Sequence, residues 1–139
     1  MKHILYLAFL ILFFGCTSQV EEEDLKNLNG YWEIEKVVFP DGKNKNYKAN
    51  TTIDFIKLEG FSGFRKKVQP KLDGTYSTSD DSESLQIIEI KKRFYMSYVN
   101  EFSERREQIL FLDSNSFSTV SEEGLQYDYK RFQPIDILE

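Results

Sequence analysis

From Gly30 onward the chain alternates between apolar and polar positions. Trp32, Ile34 and Val38 fall on one face of an extended segment, with Glu33 and Glu35 on the other, which is the period of a strand with one buried side. The run stops at Pro40-Asp41-Gly42, where proline fixes φ and glycine tolerates either sign of it. Comparable stretches recur at 52–58, 63–68, 74–78, 85–90, 94–99, 108–112, 117–120 and 126–132, which makes about nine predicted strands. The connectors between them are short, among them Glu59-Gly60, the polar 79–84, Asp113-Ser114-Asn115 and Glu122-Glu123-Gly124. Only Asp24 to Leu28 has the pattern to start a short helix. Short connectors imply antiparallel neighbours, and a meander that closes on itself leaves no exposed edge. The predicted architecture is all-β: an antiparallel up-and-down barrel of eight or nine strands.

The start of the chain breaks this pattern. Met1, Lys2 and His3 precede an apolar run from Ile4 to Phe14, closed by Gly15 and Cys16; this is the layout of a secretory signal, and it is too short for a bilayer span of about 20 helical residues. The organisation predicted for the 139 residues is a signal over 1–15, a segment 16–29 bearing the lipid and an acidic tether, and one domain over 30–139. Leu12-Phe13-Phe14-Gly15-Cys16 resembles the lipobox of bacterial lipoproteins, in which a small residue precedes the acceptor cysteine, although Phe13 stands where leucine is usual. The resemblance implies acylation of Cys16, a membrane anchor, and the lipoprotein processing and sorting machinery as partners. It also gives a role to a cysteine that otherwise lacks one in an exported chain.

Thr17 to Asn29 reads as a solvated tether kept extended by Glu21, Glu22, Glu23 and Asp24, with a reach of roughly 45 Å at about 3.4 Å per residue. An acidic stretch after the cysteine resembles the surface-export signal of Bacteroidota-type lipoproteins. The location this implies is the outer membrane, on its periplasmic face or at the cell surface.

Without the signal the chain has 17 basic and 23 acidic residues, net −6, and no histidine. That balance excludes a general nucleic-acid binder. With Cys16 acylated there is also no histidine or thiol to act as nucleophile, general base or zinc ligand. No enzyme, cofactor or metal is predicted. Asp80, Asp81 and Glu83 are oxygen donors, but their spacing matches no EF-hand loop, and a hairpin loop is the reading preferred. Glu101, Glu104 and Glu107, with Arg105 and Arg106 among them, read as an exposed, charged approach to a strand.

Gly30-Tyr31-Trp32 forms a G-x-W motif, and the chain closes on the aromatic, basic Tyr127-Asp128-Tyr129-Lys130-Arg131-Phe132. These features, with the segment from Gly63 to Pro70 and Asp73-Gly74-Thr75-Tyr76, resemble small lipocalin-like lipoproteins of Bacteroidota-type bacteria over nearly all the mature chain. The resemblance implies that Trp32 closes one end of the barrel beneath a cation near the last strand, with Arg131 the first candidate and Lys130 the second. It also implies a cup. Read from the residues themselves, Arg65, Lys66 and Lys67 are candidate anion contacts at a strand end, and Phe94 and Tyr98, on alternating strand positions, are candidate ligand contacts. Nine Phe, seven Tyr and one Trp remain after the signal, which would suit an apolar guest or a filled core. Two functions follow: a small apolar ligand or envelope component bound in the cup, or a filled barrel docked as an accessory subunit on an envelope complex.

Overall fold

The computed structural model describes residues 19–134. Its strands are β1 (Gly30–Val38), β2 (Asn44–Asn46), β3 (Ile53–Glu59), β4 (Ser62–Pro70), β5 (Tyr76–Ile90), β6 (Arg93–Val99), β7 (Glu104–Leu112), β8 (Ser116–Ser121) and β9 (Gln126–Arg131). From β3 to β9 each strand pairs antiparallel with the next, and β1 pairs with both β3 and β9. Eight strands therefore close into a barrel, as the alternation predicts, and β2 lies along the far end of β1. The signal and Cys16 lie outside the described residues.

Inward side chains pack one half of the barrel. Trp32, Ile56, Ile87, Phe94, Met96 and Phe117 are buried together there. The 3-10 helix Glu22–Leu28 closes this end with Leu25 and Leu28 buried. From Gln19 on, the segment predicted as a tether is thus folded down onto the barrel, because two leucines set three apart reach one apolar surface. The backbone N–H of Glu21 donates to Asp24 Oδ2 at 2.9 Å and fixes the first turn. Gln19 Nε2 donates to Lys92 O at 2.6 Å, so the chain enters at the closed end.

Three departures from the sequence pattern matter for the site. In β1 the register with β9 jumps from Ile34↔Tyr129 to Lys36↔Asp128; Glu35 is the extra residue of a bulge, and its carbonyl accepts instead from the N–H of Tyr47. One inserted residue flips the faces beyond it, so Val37 is buried rather than Val38. In β5 the polar stretch 79–84 is strand, not loop, because the ladder to β4 holds it. In β7 the strand begins at Glu104. Its charged residues therefore alternate too, with Glu107 buried and Glu104 exposed.

Candidate functional site

Closure at the bottom rests on the G-x-W motif. Trp32 is fully buried, and its Nε1–H donates to Leu28 O at 2.8 Å. Arg131 lies across the indole with its guanidinium carbon 3.8 Å from the ring centre. Its Nη2 and Nε donate to Asn27 O at 2.9 Å and Ser114 O at 3.0 Å, and its Nη1 donates to Asn29 O at 2.6 Å. Gly30 sits at φ 122°, where a Cβ would collide with Arg131 Nη1. Lys130 points elsewhere, to Glu33 at 3.2 Å. Phe117 meets Trp32 edge-on at 4.7 Å and stacks on Tyr129 at 4.5 Å.

Above this floor the barrel opens into a cup of about 660 Å³, bordered by β3, β4, β5, β7 and β9. The volume lies within the range of small-molecule sites, about 300–1,000 Å³. Its wall is charged. Arg65, only 7% exposed, donates from Nε to Asp54 Oδ1 at 3.2 Å, from Nη1 to Tyr98 OH at 2.8 Å and from Nη2 to Tyr129 OH at 2.9 Å. Lys67 reaches the same Asp54 carboxylate at 2.8 Å. Nearer the mouth, Arg105 makes a bidentate pair with Glu83, both bonds 2.8 Å, while lying 4.1 Å above the ring of Tyr98.

The ionisation of these groups follows from the geometry. Burial alone would push the Asp54 carboxyl up, but attraction and hydrogen bonds from Arg65 and Lys67 outweigh it and hold the group below the ordinary range. Glu83 is lowered chiefly by the hydrogen bonds from Arg105. Burial pushes the Tyr98 hydroxyl up to about 12, with Arg65 opposing only in part, so it stays protonated. Glu107 is the exception. Burial pushes its carboxyl up, Arg65 and Arg105 compensate incompletely, and its Oε2 has no hydrogen-bond partner among the described residues.

The predicted contacts are therefore divided. Arg65, Lys67 and Tyr98 come together at the base of the cup. The ammonium of Lys66 turns outward over Phe55 and Phe64, at 5.8 and 5.7 Å from their ring centres. Phe94 is buried in the packed half and faces no ligand space; the aromatics alternating on β6 fill the core, apart from the hydroxyl of Tyr98. The basic pair Lys91 and Lys92 forms the β5–β6 turn at the closed end, with φ of 52° and 63°. Glu83 is taken by Arg105, and among the described residues no cluster of three or more His, Cys, Asp or Glu is placed to hold a metal. Asp54, Glu83, Arg105, Glu107 and Tyr127 were not predicted as cup residues. Continuing the alternation of β7 back from Ile109 through Glu107 to Arg105 would have found two of them.

No known family profile matches the sequence, and no curated protein matches it. Among solved structures, a lipocalin-like protein from Bacteroides uniformis superposes with a TM-score of 0.48 at 12% identity, covering 76% of this chain and 99% of the other.

Proposed function

We propose that this chain is a lipid-anchored, non-enzymatic binding protein of lipocalin-like form, holding one small polar ligand in the open half of its barrel. The observation that carries the reading is the cup itself: about 660 Å³ walled by Asp54, Arg65, Lys67, Glu83, Arg105 and Glu107. Burying Asp54, Arg65 and Glu107 beside an open space lined further by Lys67, Glu83 and Arg105 costs more than filling that space with apolar side chains. A chain that only needed a stable scaffold would gain by packing the cup as it packs the floor. The charged wall favours a polar ligand over the apolar guest that the aromatic count first suggested.

The anchor is inferred from Gly15-Cys16 in the sequence. Gln19 is fastened to the closed end, and three residues span at most about 10 Å. An acylated Cys16 would therefore hold the closed end toward an outer-membrane leaflet and leave the mouth facing away, open to solutes. Multiple acyl chains on one cysteine suffice for stable attachment. Labelling with a radioactive fatty acid should mark the wild type and not Cys16→Ser; equal labelling of both would remove the anchor. A docking role for the mouth has its own support, since Phe102 is 93% exposed on the loop whose Asn100 and Glu101 border the cup.

A further inference from the structure

The wall of the cup carries five carboxylates, Asp54, Asp81, Glu83, Glu101 and Glu107, against the cations Arg65, Lys67 and Arg105, the ammonium of Lys66 being turned outward. Asp54 is held by Arg65 and Lys67, and Glu83 by Arg105. Asp81 and Glu101 are exposed to solvent at the rim. Glu107 is different, being 7% exposed, facing the cup, and without an ion pair or a hydrogen bond to Oε2 among the described residues. A buried carboxylate without a partner is costly. The two nearby guanidinium groups are directed elsewhere, Arg65 to Asp54 and to the hydroxyls of Tyr98 and Tyr129, and Arg105 bidentately to Glu83.

The aromatic wall shows the same division. Arg65 lies over the rings of Tyr98 and Tyr129, Arg105 also over Tyr98, and Phe117 stacks on Tyr129. Tyr127 borders the same cup, packs in part against the core cluster, and among the described residues makes no ring stack or cation–π contact. An unpaired carboxylate beside an aromatic ring that holds no cation is the pairing that binds an organic cation, the acid accepting N–H bonds and the ring taking the adjoining body.

We infer that the ligand of the cup is a small organic monocation, a primary ammonium or guanidinium attached to a flat or short apolar body, with Glu107 as its counter-ion and Tyr127 as its platform. This rests on the cup being a binding site. Deep in the cup a cation removes the one uncompensated acid, whereas an anion would add a second beside it.

The test is isothermal titration of the protein purified from cells expressing the full chain, using benzylammonium, benzoate and benzyl alcohol, which share a body and differ in charge. Benzylammonium should bind at least about tenfold more tightly than the other two, because it alone makes a charge-assisted hydrogen bond to Glu107. Glu107→Gln, nearly isosteric, should lose about tenfold or more for benzylammonium alone, and Tyr127→Leu about threefold to tenfold. Equal binding of all three probes, or undiminished binding of benzylammonium to Glu107→Gln, would overturn the cation inference while leaving the cup as a binding site. Binding of none of the three would overturn the inference as well. In that case a small molecule co-purifying with the wild type but not with Arg105→Ala upholds the cup, and none in either counts against the cup too.

Discussion

Asp54→Ala should be among the most damaging single changes outside the packed half of the barrel. The carboxylate is 3% exposed and takes bonds from Arg65 at two atoms and from Lys67 at a third. Lys67 is 64% exposed, so its share is at most about 1 kcal/mol after solvent screening. Arg65 matters more. Removing its counter-ion leaves a guanidinium buried with only two tyrosine hydroxyls as acceptors, and stranding one member of a buried pair costs about 3–5 kcal/mol. Against a total stability of about 5–15 kcal/mol, and a urea m-value of about 2 kcal/mol/M, the midpoint should fall by about 2 M. The double variant Asp54→Leu with Arg65→Met removes both charges and should recover most of the loss, so the two single effects will not add. Urea unfolding at neutral pH, followed by Trp32 fluorescence, measures the wild type, Asp54→Ala, the singles Asp54→Leu and Arg65→Met, and the double variant. A loss below about 1 kcal/mol for Asp54→Ala, or additive effects in the cycle, would refute this account of the cup's base. The pH dependence carries a further sign: Asp54 is lowered on folding, so its contribution is full above the unfolded value and disappears as pH falls through the folded one. The gap between wild type and Asp54→Ala should therefore narrow in acid.

The closed end offers a second cycle. Trp32→Ala should cost roughly 3–5 kcal/mol, and Trp32→Phe with Arg131→Ala should be non-additive in urea, because the cation lies 3.8 Å over the ring. Glu107 has the opposite pH sign from Asp54. Its carboxyl is raised on folding, so its contribution is present below the unfolded value and is lost as pH rises through the folded value. Thermal melts should show Glu107→Gln gaining on the wild type as pH goes from about 4 toward neutrality, and a constant difference would contradict the burial assigned to it. In the β5–β6 turn both central residues have positive φ, so Lys91→Asn with Lys92→Gly should stabilise by about 1 kcal/mol, and a loss would show that the turn is not of the primed type.

The barrel was readable in the chain because its packed half obeys simple alternation. Trp32, Ile34, Phe94 and Met96 fall in step with their neighbours, and turns at Gly42, Gly60, Gly74 and Gly124 supply positive φ where the chain reverses. The bulge at Glu35 was not readable, since the extra residue is fixed by pairing with β9 and by the Tyr47 N–H, which are distant in sequence. The cup was hidden for a different reason. Glu107, Arg105, Glu83 and Asp54 look like solvated surface when taken singly, and only the closed barrel brings them to one wall, where each charge finds or lacks a partner. In the acidic segment after Cys16, charge suggested an extended tether, and the buried pair Leu25 and Leu28 prevailed over it.

The proposal that the cup holds a small polar molecule is tested most directly by native mass spectrometry of the full protein extracted from its own membrane, beside Glu107→Gln. Glu107 is buried in the cup wall with no partner for its Oε2 among the described residues, so the change removes its charge and leaves the Asp54 and Glu83 pairs in place. The account predicts one small adduct on the wild-type polypeptide, beyond the mass of any acyl group, and its loss in the variant. A wild type that carries no adduct, or an adduct that persists when the acid is neutralised, would contradict it.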